Sequence, residues 1–170
     1  MIRAMQASDI PRVAEIHVFG WRCAYRGIVP DQHLFNTMLV SKRMERWAEI
    51  LQRKDTECSN WGCENYVYDD GIIKGILTIG PCRDEDKPNA YELGGIYVDP
   101  CMQGQGIGTI LAQHCEKIAA QGGYKELCLW TFEKNTAARG FYEKLGYVHD
   151  SKTQIVEPYN AVGVRYIKRI

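Results

Sequence analysis

The stretch VDPCMQGQGIGTILA (residues 98–112) places a strand end, a proline and three glycines directly ahead of a helical pattern. Each glycine weakens a helix start by about 1 kcal/mol relative to alanine, so these glycines must serve something other than helix stability. A helix N-terminus presents unpaired backbone N–H groups and the positive end of the helix dipole. With no side chains at 104, 106 and 108, a diphosphate can approach that backbone, and Gln103 can add a hydrogen bond. The alternative is a turn that merely packs tightly, because a glycine cluster alone is a weak signal.

Two familiar phosphate loops do not fit. The Lys-Ser/Thr pair that closes a P-loop is missing after the last glycine. GQGIGT puts its third glycine one residue too early for the G-x-G-x-x-G dinucleotide fingerprint. That fingerprint also belongs on the first strand of a βαβ unit, whereas four strands are expected before this loop. A nucleotide-dependent enzyme remains a competing reading, and it requires NAD or ATP, not coenzyme A, to bind.

Working outward, AYELGGIYV (90–98) reads as the strand that enters the loop. Its paired glycines, Gly94 and Gly95, suggest a bulge or a close backbone approach. After the loop, Ile107, Ile110, Leu111, His114, Cys115 and Ile118 form one helical stripe, and Gly122 and Gly123 end it. KELCLWTF (125–132) is an apolar strand, so strand, helix and strand make a crossover with parallel character. Asn135 caps a short helix closed by Gly146. YVHDSKTQIV and AVGVRYIKRI are two final strands around an EPYN turn. Upstream, IRAMQ is a short strand, and Ser8 is expected to cap a helix running to about Trp21. Asp31 starts a second helix, and Ser41 caps a third. ENYVYDD and GIIKGILTIG form a hairpin. The fold class expected is α/β (α+β), one domain over 1–170, with a mixed sheet of about six or seven strands flanked by helices and a bulged fourth strand.

The chain has 170 residues, with 21 Lys+Arg balanced by 21 Asp+Glu. A dedicated nucleic-acid binder usually shows a basic excess, so no nucleic-acid partner is expected. No run approaches the ~18 apolar residues of a membrane span, and the N-terminus lacks an apolar signal-peptide segment. A cytoplasmic protein is expected. The seven cysteines are odd in number and mostly single, which reads as buried reduced thiols. Cys58 and Cys63 lack the two-pair spacing of a zinc site, so no metal is expected.

The Q-x-x-G-x-G pattern from Gln103 to Gly108 resembles the acyl-CoA pyrophosphate loop of the GCN5-related N-acetyltransferase (GNAT) superfamily. ELGGIYVDP resembles that family's fourth strand, and NTAARGFYEKLGY (135–147) its second signature. The resemblance covers essentially the whole chain. It implies acetyl-CoA as the acyl donor. Backbone groups of Ile96, Tyr97 and Val98 would pair with the pantetheine arm. Residues Gln103, Gly104, Gln105, Gly106, Ile107, Gly108 and Thr109 would hold the pyrophosphate. Asn135 would meet the cofactor, and Tyr142 would sit near the thioester sulfur.

Acyl transfer to an amine needs a fixed donor, a polarised carbonyl, a protonated leaving thiol and a deprotonated nucleophile. A bulge at Gly94 and Gly95 would free an amide, with Ile96 N–H the candidate, for the acyl oxygen. Tyr142 is the expected general acid, and a core tyrosine is its bland counterpart. Glu92, on the same strand, is the expected base, with Asp99 and Glu157 as alternatives. Direct transfer in a ternary complex is expected over a Cys101 acyl intermediate, since no His adjoins that cysteine in sequence. In the superfamily the first two helices and the last hairpin wall the acceptor site, here offering Trp21, Tyr25, Arg26, His33 and Tyr159. Trp21, Tyr25 and Tyr159 are the expected acceptor contacts, although aromatics four apart on a helix are commonly core. The acids of RDEDK (83–87) could attract a polycation or simply be solvated. The acceptor expected is a primary amine of a small molecule or a protein, not named by the sequence. Free sheet edges suit a homodimer. A CoA-binding sensor of the same fold, without chemistry, is the competing function.

Overall fold

Two parallel strands joined by a helix form the centre of the chain, as the apolar pattern on either side of the glycine loop predicts. The structure, a computed structural model, describes residues 1–52 and 62–170. Its strands are β1 (Ile2–Ala4), β2 (Glu64–Asp69), β3 (Ile73–Pro81), β4 (Tyr91–Val98), β5 (Glu126–Phe132), β6 (Val148–Val156) and β7 (Ala161–Arg169). Its helices are α1 (Ile10–Ala24), α2 (Val40–Gln52), α3 (Ile107–Gln121) and α4 (Thr136–Lys144). The seven strands make one mixed sheet in the order β1-β2-β3-β4-β5-β7-β6. Only the β4–β5 rung is parallel, and α3 is its crossover.

Alternation along β3 sorts the core into two layers. Leu77 and Ile79 pack with Leu111, Cys115, Leu127 and Tyr142 on the α3–α4 face. Ile73 and Ile76 pack with Val13, Ile16 and Trp47 on the α1–α2 face. Gly123 (φ +82°) and Gly146 (φ +87°) follow α3 and α4 in the left-handed conformation that glycine adopts without a Cβ clash.

Several expected boundaries shift for identifiable reasons. Ser8 does not cap α1. A short 3₁₀ turn, Ala7–Asp9, precedes the helix, and the Gln6 amide donates to Asp9 Oδ2 at 2.8 Å. Arg3 grips both Asp9 and Asp69, tying the start of α1 to the end of β2. Ser41 lies inside α2, because the Arg43 amide already bonds to the Leu39 carbonyl at 2.9 Å. The helix expected from Asp31 contains a π-helical turn, His33–Thr37. On α3, Ile107, Leu111 and Cys115 are buried as expected. Ile110 instead stands 40% exposed, because Ala112 and Ala119 take the sheet-facing positions. Cys58, of the Cys58–Cys63 pair, lies outside the described residues.

Candidate active site

The bulge predicted from Gly94 and Gly95 is present. Thr78 faces Gly95 and Ile79 faces Leu93, so Gly94 is the extra residue on β4. On its other side β4 pairs with β5 only at Tyr91–Leu127 and Glu92–Cys128. Beyond Glu92 the two parallel strands diverge, and among the described residues one edge of 93–98 has no strand partner. A bulge bends its strand and increases local twist, which is the physical cause of the split. The wedge opens into a cavity of about 630 Å³. Its walls come from Gly20 of α1 and the Tyr25 that follows it, residues 93–98 of β4, the glycine loop, β5 (Trp130, Thr131), Asn135 at the head of α4, and Ala138 and Tyr142 within that helix.

The glycines of the loop divide into two kinds. Gly104 (φ +78°) and Gly106 (φ +77°) are left-handed, with open space where a Cβ would stand. Their requirement is conformational. Gly108 is different, since a Cβ there would meet the Phe141 ring at 3.2 Å. Its missing side chain lets α3 approach α4. Gly106 is the N-cap of α3 and offers no side-chain acceptor. The first amides of the helix therefore stay open toward the cavity, where Gly106, Ile107, Gly108 and Thr109 all form wall. Gln103 and Gly104 also line it. Gln105 does not, as its amide turns back toward Met102 Sδ at 3.7 Å.

Asn135 caps α4 as predicted, its Oδ1 accepting from the Ala138 amide at 3.2 Å. Asn135 also helps to line the cavity. Tyr142 follows two turns later, braced edge-on by Phe141 and Tyr147 with ring centroids at 5.1 and 5.7 Å. Burial pushes its phenol above the ordinary tyrosine range, so it stays protonated. Among the described residues no group hydrogen-bonds its hydroxyl.

Glu92 is placed otherwise than a solvent-linked base requires. It is 3% exposed and absent from the cavity wall. Arg83 grips it through Nε at 2.9 Å and through a second, shorter guanidinium contact to the other oxygen. Of the alternatives, Asp99 is paired with Arg12 and caps the turn before the loop through the Cys101 amide. Cys101 is an exposed free thiol.

Trp21 and Tyr25 meet at a residue expected only for its backbone. The Trp21 indole donates to the Tyr97 hydroxyl at 3.0 Å, and the Tyr25 hydroxyl stands 3.5 Å from the same oxygen. The Tyr97 ring fits between Gly20 and Gly95, where a Cβ would meet it at 3.1 and 3.2 Å. Tyr25 lines the cavity, whereas Trp21 and Tyr159 stand behind it. Tyr159 and His33 are hydrogen-bonded at 2.9 Å in an aromatic cluster that includes Phe132. Of the RDEDK acids, Asp84 and Asp86 bind the buried Arg165 at 2.9 and 2.7 Å.

Arg83, Trp130 and the Tyr97 hydroxyl were not identified from sequence. Gly95 next to Tyr97 was the available signal for the last, since a strand glycine often leaves room for a neighbouring ring.

Residues 31–147 match the model of the Acetyltransferase (GNAT) family. A probable N-acetyltransferase of Mycobacterium tuberculosis is 31% identical over 170 residues, covering 98% of this chain and 90% of that protein. The PaiA N-acetyltransferase of Thermoplasma acidophilum, solved in complex with coenzyme A, superposes with a TM-score of 0.76 at 20% identity, covering 100% of this chain and 98% of that one. A putative acetyltransferase of Salmonella typhimurium, solved with its cofactor acetyl-CoA, gives 0.69 at 20% identity, covering 99% and 92%. The family match spans the bulged strand, the glycine loop and the tyrosine helix, and with it this chain belongs to the GNAT family of acetyltransferases.

Proposed function

We propose that the protein transfers an acetyl group from acetyl-CoA to a primary amine, directly, in a ternary complex. One observation carries this reading. The open edge of β4 leads straight into the uncapped start of α3, and both line one cavity. An extended pantetheine arm adds to such an edge as a further strand, through backbone groups of Ile96, Tyr97 and Val98. A pyrophosphate suits the helix start, where the free amides and the dipole face it. The Asn135 amide meets the arm between them. The first relative compared is named an N-acetyltransferase, and two of the superposed proteins were solved with coenzyme A or acetyl-CoA.

With the donor held at both ends, its thioester lies in the wedge between β4 and β5. Much of the entropic cost of reaction then falls on binding. The acyl oxygen gains charge as the amine attacks, and the Ile96 amide beside the bulge stabilises it. The C–S bond breaks, and the Tyr142 phenol donates its hydrogen bond and proton to the departing sulfur. The ammonium acceptor sheds its proton to cavity water before attack. Glu92 acts as a positioning carboxylate in this reading, holding Arg83 in place. Tyr25 and Tyr97 form the acceptor-side wall, with Trp21 and Tyr159 behind them.

Incubation with acetyl-CoA and a panel of primary amines, read by release of free thiol, tests the activity. Thiol release that depends on both amine and enzyme is expected. Binding of acetyl-CoA with no thiol release from any amine, lysine peptides and polyamines included, would instead identify a CoA-binding sensor.

A further inference from the structure

Cys82 and Cys128 stand 46 positions apart in sequence, and their sulfurs lie 2.8 Å apart. They were expected to be solitary reduced thiols. Cys82 follows the end of β3, where its amide donates to the Ala90 carbonyl at 3.0 Å. Cys128 is buried in β5, opposite Glu92 in the last rung before β4 and β5 part. A disulfide holds its sulfurs about 2.05 Å apart, so bond formation needs a closure of less than an ångström.

Asp84 places a carboxylate oxygen near both sulfurs, so that among the described residues these three could also present ligands to a soft metal ion. Two observations favour the disulfide. Thiolates at about 2.3 Å from a tetrahedral zinc stand ~3.8 Å from each other, farther apart than these sulfurs. Asp84 is also engaged elsewhere, accepting from the Trp130 indole at 3.0 Å and from Arg165 at 2.9 Å.

We propose that Cys82 and Cys128 form a reversible disulfide when the protein meets a hydroperoxide. The two thiols have separate roles. Cys82 is partly exposed, and hydrogen bonds from the Cys128 thiol and the Asp84 backbone hold it below the ordinary thiol range. Cys128 is buried, and its bond to Cys82 together with desolvation raises it. The Cys82 thiolate therefore attacks a peroxide oxygen first. The O–O bond breaks, the leaving alkoxide or hydroxide takes up a proton, and Cys82 becomes a sulfenic acid. Cys128 sulfur then attacks Cys82 sulfur. The S–S bond forms, the S–O bond breaks, and the hydroxyl leaves as water with the Cys128 proton. Two thiols lose two electrons, and one hydroperoxide gains them.

The bridge joins the end of β3 to β5 at the apex of the wedge. Arg83 and Asp84, directly after Cys82, hold Glu92 and Trp130, and Trp130 lines the cavity. The redox state of the pair is thereby linked to one wall of the site. This inference does not depend on the identity of the acceptor or on catalysis.

The test begins with fully reduced protein treated with stoichiometric hydrogen peroxide and digested with trypsin without reductant. Peptides 75–83 and 126–134 should appear as one species, two hydrogens lighter than their sum. The melting temperature should rise by roughly 5–10 °C, since the bridge closes a long loop. Dithiothreitol should reverse both changes. Cys82→Ser and Cys128→Ser should each abolish them. If the buried Cys128→Ser fails to fold, Cys82→Ser at its half-exposed position still supplies the control. Recovery of both peptides unlinked, or of Cys82 as a sulfonic acid without linkage, would overturn the proposal. So would an equimolar zinc ion that raises the melting temperature of the reduced protein and blocks linkage, which would assign the cluster to a metal.

Discussion

Tyr142→Phe lowers kcat for acetyl transfer about 100-fold, while the dissociation constant for acetyl-CoA changes less than about threefold. Phenylalanine keeps the ring, so the edge-on packing against Phe141 and Tyr147 survives. Only the hydroxyl is lost, and among the described residues nothing hydrogen-bonds it. The fold therefore loses little, and the loss appears at the step where sulfur acquires charge. Burial holds the phenol protonated across the neutral range, so the pH–rate profile of the wild type should show no limb from this residue below about pH 9. Glu92→Gln, measured alongside, should change kcat by less than about threefold, because Arg83 already neutralises that carboxylate. A 100-fold loss in Glu92→Gln with a normal melting temperature would restore Glu92 as the base. Equal kcat in Tyr142→Phe and wild type would remove Tyr142 from the chemistry.

His17 controls a second large effect, on stability. It lies on α1, stacked on Tyr97 at 4.6 Å with an interplanar angle of 19°, beside Trp47 at 5.9 Å and Trp21 at 6.1 Å. Among the described residues its buried Nδ1 has no hydrogen-bond partner. Desolvation, aided by the nearby Arg43 cation, lowers its pKa to about 3. The unfolded chain takes up a proton at this residue near pH 6.5, and the folded chain does not. Stability contributed by the neutral ring is thus fully present above pH 6.5 and is lost as pH falls toward 3. The slope approaches about 1.4 kcal/mol per pH unit, or roughly 2.5 kcal/mol between pH 6.5 and 4.5. Urea unfolding across that range should show the loss in wild type, and His17→Phe should remove most of it. His114, also lowered by burial, leaves a smaller slope in the variant. Identical slopes in the two proteins would show that His17 takes up its proton without disturbing the fold.

Features that the backbone itself demands were legible in the sequence. Gly94–Gly95 inside a strand announced the bulge, and with it the split that makes the cavity. Gly104 and Gly106 ahead of a helical stripe announced the open helix start, and Asn135 announced the cap of α4. Each of these is local, and each residue type has few other reasons to be where it is. Side-chain partnerships were not legible. Glu92 read as a strand carboxylate with solvent access, but Arg83, nine positions away across the β3–β4 connection, closes it off. The acids at 84 and 86 read as solvated until Arg165, about 80 positions later, came to lie against them. Gly108 looked like its loop neighbours, and only the approach of Phe141 gives it a different reason. Nothing in a run of residues records which distant side chain will face it.

The central claim is that the bulged strand and the glycine loop together hold acetyl-CoA. Thermal unfolding with acetyl-CoA, NADH and ATP at matched concentration tests it most directly. A ligand at ~100 times its dissociation constant stabilises a fold by about 2.7 kcal/mol, which for a chain of this length is a shift on the order of 5–10 °C. The account predicts that shift with acetyl-CoA and less than about one degree with NADH or ATP. A shift with either nucleotide and none with acetyl-CoA would contradict it, and the roles given to Tyr142 and the β4 edge would fall with it.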